Sequence, residues 1–246
     1  MNFFQQTGKY LLFMWQVLSK PEKRKVFYKQ LMTEFYSIGV DSFGIVVIIS
    51  VFMGAVVSIL VAYNLDNPLI PMKMIGYSTR EIAILEFSPT MISLILAGKV
   101  GSSIASQVVT MRVTEQIDAL EIMGINPANF LVFPKLVAAI LIHPALIVFS
   151  MVVSIFGGYI VAVMTNLFTP DEYIQGLRSW FDAFTVFYAL IKTVVFAIII
   201  VSIAGFQGYI IKGGSIQVGR ASTKAVVYAS ILIIVFNLIL TQTILI

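Results

Sequence analysis

The chain has 246 residues, of which 59% are hydrophobic and 11% are charged. Soluble domains carry about 25% charged residues, so this composition predicts a polytopic membrane protein with little room for a soluble domain. The formal net charge is +4, and the absence of cysteine excludes disulfides, thiolate metal sites and cysteine nucleophiles. The N-terminal stretch has no compact apolar core followed by a small-residue cleavage site, so we expect no cleavable signal peptide.

Residues 1–41 mix apolar and aromatic side chains with six of the sixteen basic residues. This mixture predicts a helix that lies along the membrane surface, followed by a basic turn around Pro21. A frayed cytoplasmic tail is the alternative, and the aromatic content argues against it. We therefore separate an interfacial N-terminal region, 1–41, from a permease domain, 42–246.

Five apolar segments in 42–246 predict an all-α fold with five transmembrane helices. They lie at about 42–65, 82–110, 134–165, 186–211 and 226–246. The third contains no polar turn, which predicts one long or kinked helix with His143 and Pro144 at the kink. Residues 66–81 and 166–185 are interpreted as loops. Small residues recur every four positions in the first two spans and predict close helix packing: Gly54, Ser58, Ala62, Ala97, Gly101 and Ala105.

Apart from Lys135 at the inner end of the third span, three charged side chains lie within the predicted spans, where a charge is costly and a functional role is the default hypothesis. Glu86 and Lys192 lie near the outer ends of their spans, so they could pair or bind a polar headgroup. Snorkelling to the interface or a purely structural ion pair is the alternative. Pro89 follows Glu86 by one turn and requires neighbouring protein to satisfy the backbone. Lys99 lies within a small-residue stripe and is assigned a structural role.

A short charged segment, 111–127, separates the second and third spans. Its apolar and acidic residues fall on separate stripes at helical spacing, which predicts an amphipathic helix over 111–124. Gly124 and the following Asn126-Pro127 end that helix. At 1.5 Å per residue it is roughly 20 Å long, too short to cross a bilayer. The segment is typical of a docking element for a soluble partner, and a solvated helix that docks with nothing is the alternative.

The distribution of basic residues predicts the topology. With the N-terminus inside, the inner segments hold eleven basic residues and the outer loops hold three. This bias places the N-terminus and the 111–124 helix in the cytoplasm and the C-terminus on the outer side.

No motif for hydrolysis or metal binding occurs in the sequence, so we assign no catalytic residue, no metal site and no enzymatic activity. Gly214 to Gly219 has the glycine spacing of a phosphate loop. However, Arg220 stands where lysine is needed, and Ala221 stands where a hydroxyl that holds Mg²⁺ is needed. If ATP is used, another subunit binds it.

Two stretches carry a resemblance to a known family. EFSPTMISLILAGKVGSSIASQVVTMRVTEQIDALEIMGINPANFLVFPKLVAAIL and GGSIQVGRASTKAVV resemble the signatures of the MlaE family of lipid-transport permeases. The match runs from about residue 40 to the C-terminus, and the TEQIDAL block is its most specific part. Lys99 and Lys135 stand where the family commonly has arginine, and Leu85 stands where some members have arginine.

The resemblance implies a homodimer of five-span subunits with an interfacial N-terminal helix in a bacterial inner membrane. It implies phospholipid transport between inner and outer membranes, as in the maintenance of outer-membrane lipid asymmetry. The implied partners are a cytoplasmic ATP-binding cassette subunit and an outer MCE-domain protein, with ATP and Mg on the former and no cofactor in this chain. The implied ATPase contacts are Thr114, Glu115, Gln116, Asp118, Ala119, Glu121 and Met123. The implied cavity residues are Leu85, Glu86, Pro89 and Lys192.

On this reading, ATP binding closes two ATPase subunits, the 111–124 helices move with them, and an apolar cavity between protomers opens or collapses. One rival hypothesis is a secondary transporter or channel that uses Glu86 and Lys192. The other is a membrane scaffold that transports nothing. No nucleic-acid partner is expected.

Overall fold

The computed structural model of the chain describes residues 3–19, 24–65, 70–211 and 216–244. These residues form helices and short connections without a strand, and five helices among them are long and apolar enough to cross a membrane. The predicted all-α polytopic class with five spans is therefore confirmed. The candidate spans are Lys25–Asn64, Lys73–Val113, Pro127–Met164, Ala183–Ile210 and Gln217–Ile244.

The first two spans are composite, because α-helical and π-helical segments follow one another without a break. The π-helical segments are Tyr36–Val40, Ala83–Met91 and Ala97–Gly101. The α-helices are α1 (Phe3–Val17), α2 (Arg24–Phe35), α3 (Asp41–Asn64), α4 (Lys73–Ile82), α5 (Ile92–Leu96), α6 (Ser102–Val113), α7 (Gln116–Ile122), α8 (Pro127–Met164), α9 (Pro170–Arg178), α10 (Ala183–Ile210) and α11 (Ile216–Ile244).

By its internal contacts the chain divides into two units. The first unit comprises Met1–Asp41, Leu94–His143 and Val195–Phe236, and the second comprises Ser42–Ser93, Pro144–Val194 and Asn237–Ile246. The predicted division into 1–41 and 42–246 stays a prediction. The predicted turn around Pro21, the basic residue Lys212 and the glycines 213–214 lie outside the described residues.

In the first unit, α1 is fastened to α8 and α10 along one face. Phe13 is buried, with its ring centroid 5.7 Å from that of Phe206, and Tyr10 Oη donates a hydrogen bond to Ser202 Oγ over 2.9 Å. At the end of α1, Asn129 Nδ2 donates to the carbonyl of Val17 over 2.7 Å. This bond satisfies one of the carbonyls that a helix C-terminus leaves unpaired.

In the second unit, α3 and α8 approach each other closely enough for backbone contact. A Cβ on Gly54 would lie 1.8 Å from the carbonyl oxygen of Ser154, and one on Gly157 would lie 2.1 Å from that of Val51. Only glycine permits this approach. The close packing predicted at Gly54 is confirmed. As predicted, α8 is a single long helix, and it continues through His143 and Pro144.

The two segments interpreted as loops, 66–81 and 166–185, contain helices, so that interpretation is wrong in both. Helix α9 begins with a capping box in which Thr169 Oγ1 accepts from the Glu172 amide and Glu172 Oε2 accepts from the Thr169 amide. The Thr-Pro-Asp-Glu run is the sequence signal for such a start. Tyr173 of α9 is buried and donates to the Ile155 carbonyl over 3.0 Å, and this burial raises its pKa to about 12.

Buried Arg80 connects α4 to the segment that follows α9. Its guanidinium donates hydrogen bonds to the carbonyls of Leu177, Ser179 and Trp180 over 2.6, 2.9 and 3.2 Å. It also pairs with Glu81, 2.7 Å away. Trp180 has a φ of 47°, a conformation that a bulky residue rarely adopts. The arginine therefore holds a strained turn in place through its three carbonyls.

The predicted continuous helix over 111–124 is replaced by two helices with a turn between them. α6 ends at Val113, Glu115 takes a left-handed φ of 60°, and α7 covers only Gln116–Ile122. The Thr114 hydroxyl donates back to the Thr110 carbonyl over 2.8 Å, which competes with helix continuation. The end at Gly124 is confirmed, because Gly124 has a φ of 76°.

Candidate functional site

The local backbone around Pro89 prepares a site for Lys192. Pro89 has no amide hydrogen and donates no backbone hydrogen bond. Four residues earlier, the carbonyl of Leu85 accepts a hydrogen bond from Lys192 Nζ over 3.0 Å. The surrounding π-helical segment, Ala83–Met91, also places Glu86 beside the same ammonium group. The sequence singled out all four of these residues, and the structure brings them together.

Lys192 is fully buried and its charge is compensated locally. Its ammonium lies 2.8 Å from Glu86 Oε1 and 4.7 Å from the centroid of the Tyr188 ring. The Tyr188 hydroxyl lies 2.8 Å from Thr241 Oγ1. A buried ammonium with a carboxylate, a carbonyl and an aromatic face is stabilised as a charge, so Lys192 does not snorkel.

The second oxygen of Glu86 binds residues that the sequence analysis missed. Asn237 Nδ2 donates to Glu86 Oε2 over 3.0 Å, and Thr90 Oγ1 lies 3.1 Å from both that oxygen and Asn237 Oδ1. Asn237 lies within the charge-free last span, and an amide in such a segment is the signal that could have identified it.

The two charged side chains of this site differ in how much of their surface is exposed. The Glu86 side chain is 45% exposed, whereas the Lys192 side chain is 0% exposed. A ligand that approaches this site therefore meets the carboxylate of Glu86 and its neighbours Thr90 and Asn237, while Lys192 holds the carboxylate from behind. These groups can bind an ammonium, a hydroxyl or an amide through hydrogen bonds.

Lys99 lies in a different cluster, in the first unit. Its ammonium donates to the Asp41 carbonyl and lines a cavity of about 80 Å³ together with Glu34 and Gln107. Nearby, the buried Lys135 pairs with Glu34 and donates to Gln107 Oε1 over 2.8 Å. These bonds connect α2 with α6 and α8. A structural role for Lys99 stays a prediction.

Between the second and third spans, one face of α7 packs against other residues of the first unit. Ile117 is fully buried, Arg112 Nη1 lies 2.7 Å from Asp118 Oδ1, and Tyr209 Oη donates to Glu121 Oε1 over 3.1 Å. The residues predicted as ATPase contacts are all exposed: Thr114, Glu115, Gln116, Asp118, Ala119, Glu121 and Met123. Ile122 was not among them, although it is the most exposed large apolar residue of this segment.

No three His, Asp or Glu side chains come together as metal ligands would in the part of the chain that the structure describes. The arrangement instead combines five membrane-spanning helices, a polar site and an exposed short helix. This combination defines a multi-pass membrane protein.

The family model described as permease MlaE matches residues 31–243. A probable ABC transporter permease protein of Rickettsia typhi is 32% identical over 246 residues, which cover 98% of this chain and 93% of the relative. A protein of the same description from Synechocystis is 32% identical over 209 residues, which cover 83% of this chain and 77% of the relative. The intermembrane phospholipid transport system permease protein MlaE of Haemophilus influenzae is 27% identical over 250 residues, which cover 98% and 92%.

These matches define an ABC transporter permease. The chain belongs to the MlaE permease family, as its sequence motifs indicated.

Proposed function

We propose that this permease moves phospholipid between the inner and outer membranes, driven by a separate ATPase subunit. The family match supports transport by an ABC system, and the Haemophilus influenzae relative is named for intermembrane phospholipid transport. In this proposal the chain lies in a bacterial inner membrane as a homodimer, with a cytoplasmic N-terminus. An MCE-domain protein receives or delivers the lipid on the outer side.

The observation that carries the lipid assignment is the half-exposed Glu86 carboxylate, held by the buried Lys192, with both residues in apolar candidate spans. Acyl chains gain about 0.8 kcal/mol for each CH₂ that leaves water. A lipid pathway therefore needs apolar walls and only a few polar groups for the headgroup. Glu86, Thr90 and Asn237 supply such a group in the second unit.

The chain itself has no motif for binding ATP, so the proposal assigns ATP and Mg to the partner subunit and no enzymatic activity to this chain. The exposed residues of α7 and its flanks, among them Glu115 and Met123, supply the contact with that subunit. When two ATPase subunits close on ATP, α7 moves with them and the spans shift as rigid bodies.

The proposal is tested by reconstitution of the permease with and without an ATPase subunit and an MCE-domain protein in vesicles. We expect transfer of a phospholipid with a fluorescent acyl chain only in the complete complex and only with ATP. In Glu115→Lys we expect release of the ATPase or hydrolysis without transfer, because the charge is reversed at the docking segment. Asp171→Lys reverses an exposed charge on α9 and serves as the matched control.

Two outcomes would overturn the proposal. Transport by the purified permease alone under an ion gradient would favour the secondary transporter or channel. Normal ATPase binding and coupling in Glu115→Lys would contradict docking at this segment.

A further inference from the structure

The acidic residues of α7 differ in what they contact. Arg112 Nη1 lies 2.7 Å from Asp118 Oδ1 and 3.9 Å from Glu121 Oε1. Tyr209 Oη donates to the same Glu121 oxygen over 3.1 Å, and the Arg112 guanidinium lies 5.7 Å from the Tyr209 ring centroid. Glu115 contacts Arg112 only through the backbone, where its amide donates to the Arg112 carbonyl over 3.2 Å. Two of the three carboxylates are therefore engaged within the chain.

These contacts connect α7 to two different spans. Arg112 lies in the last turn of α6, which ends the second span, and Tyr209 lies in the last turn of α10, which is the fourth span. Ile117, a residue of α7 itself, is fully buried. We name the set Arg112, Asp118, Glu121 and Tyr209 the α7 clamp. A displacement of α7 acts on both spans through this clamp.

The backbone on either side of α7 does not fix the direction of this helix, so side-chain contacts are needed to hold it. Glu115 before the helix and Gly124 after it both have positive φ values, 60° and 76°. Neither junction continues a helix, so neither fixes the direction of α7 as a continuous helix would. The polar contacts of the clamp and buried Ile117 are what hold its orientation.

The C-terminal end of α7 exposes an apolar patch. Ile122 is 87% exposed and Met123 is 64% exposed. The half-exposed carboxylates of Asp118 and Glu121 and the exposed Glu115 lie close to this patch in sequence. An acidic border disfavours contact with the anionic cytoplasmic surface of a membrane. It favours a protein partner that offers an apolar groove with basic residues at its edge.

We propose that contact and transmission are divided between different residues of this segment. Ile122 and Met123 anchor the ATPase subunit, whereas Arg112 and Tyr209 are positioning residues that pass the movement of α7 to the second and fourth spans. This inference rests on the proposed ATPase-driven function. It assigns Asp118 and Glu121, which the sequence suggested as partner contacts, to the clamp within the chain.

The first arm of the test measures ATPase binding to the full-length permease. Ile122→Asp places a charge at the anchor, and we expect binding to weaken roughly tenfold or more, as for a central interface residue. An exposed apolar residue within a span, such as Ile231, is unsuitable as a control because a new charge there would disturb the span. The matched control is therefore Leu167→Asp, which changes an exposed apolar residue outside the spans. We expect the control to bind as the unaltered chain does.

The second arm separates binding from coupling. Tyr209→Phe removes only the hydroxyl that donates to Glu121, and Tyr228→Phe removes an exposed hydroxyl as the control. We expect unchanged ATPase binding and hydrolysis in Tyr209→Phe, with roughly two- to fivefold less lipid moved per ATP, the range of a half-exposed polar contact. Arg112→Asp is expected to lower the amount of lipid moved per ATP as well. Adding Asp118→Arg to that variant is expected to restore this ratio, because the two charges are then exchanged.

The outcomes distinguish the inference from the function on which it rests. If the ATPase does not bind the unaltered permease, the proposed function fails. If it binds and drives transport but Tyr209→Phe and Arg112→Asp leave the ratio unchanged, the clamp is overturned. The clamp is also overturned if both variants lose binding in proportion to transport, or if the charge exchange restores nothing.

Discussion

Charged residues are used in two different ways in this molecule. Arg80 and Lys192 in the second unit are buried and each is surrounded by several fixed partners, and Lys135 in the first unit is buried in the same way. The Arg112–Asp118 pair of the α7 clamp, also in the first unit, is partly exposed, with side-chain exposures of 21% and 51%. The buried cations fix the backbone around them, whereas the exposed pair can exchange its contacts with water.

The difference follows from desolvation. A buried charge that loses one partner is left uncompensated, which costs several kcal/mol, whereas an exposed pair contributes about 0–1 kcal/mol and is screened by salt. A segment that must move with a partner is therefore better held by exposed pairs. A site that must keep its shape through the transport cycle is better held by buried ones.

Arg80→Met is expected to have the largest effect on this contrast. The change leaves the carbonyls of Leu177, Ser179 and Trp180 without their donor and releases the strained turn at Trp180. Loss of a buried charged partner costs about 3–5 kcal/mol. We expect a large fall in the thermal unfolding temperature in detergent.

The matched control is Arg178→Met, which removes an exposed arginine two residues before Trp180. It should shift the unfolding temperature little. Equal shifts in the two variants would show that burial of Arg80 contributes nothing to its effect, and the contrast between buried and exposed charges would then fail.

Lys192→Met is expected to rank second. It removes the donor to the Leu85 carbonyl and to Glu86, but Asn237 Nδ2 still donates to the carboxylate. We expect a loss of about 1–3 kcal/mol in the free energy of unfolding. Lipid transfer should be strongly reduced, because Glu86 loses the group that holds it.

Glu86→Gln sharpens this result. Glutamine keeps an acceptor but removes the charge opposite the buried Lys192 ammonium, so the free energy of unfolding should fall about as much as in Lys192→Met, while transfer is still reduced. Full transfer in both variants would remove this site from the lipid pathway.

Asp118→Asn tests the exposed side of the contrast. Asparagine has nearly the same shape but carries no charge opposite Arg112, so the free energy of unfolding should fall by less than about 1 kcal/mol. The difference from the unaltered chain should shrink as salt is raised from about 0.05 M to about 0.5 M, because exposed pairs are screened. A large effect that does not depend on salt would place this pair in the same class as Arg80.

The sequence predicted the features that depend on composition and spacing. The five spans, the close approach at Gly54 and the end of α7 at Gly124 all followed from hydropathy or from the conformational freedom of glycine. The pairing of Glu86 with Lys192 was one of the alternatives that the charges allowed.

Other features depend on contacts between distant segments and could not be read from local patterns. Asn237 reaches Glu86 across 151 positions of the chain, and Arg80 reaches the end of α9 across about a hundred. The turn at Glu115 brings Asp118 of α7 within 2.7 Å of Arg112, whereas the spacing alone favoured one continuous helix. Helix α9 is the exception, because its capping box is a local pattern of the sequence.

The smallest predicted effect concerns the capping box of α9, which tests whether an exposed carboxylate in the second unit behaves like the exposed pair of the first. Hydrogen bonds from Thr169 lower the pKa of Glu172 from its usual value of 4.5. A lowered pKa in the folded state means that the stabilisation is fully present above about pH 4.5 and is lost as the pH falls through the folded value.

Because the Glu172 side chain is solvated, we expect this ionisation to contribute only a few tenths of a kcal/mol, roughly, to the free energy of unfolding. Unfolding followed from about pH 6 to about pH 3 should show a slightly steeper loss than in Glu172→Gln. Identical curves would mean that α9 is held by Arg80 and Tyr173 alone, and that exposed charge contributes nothing to the second unit.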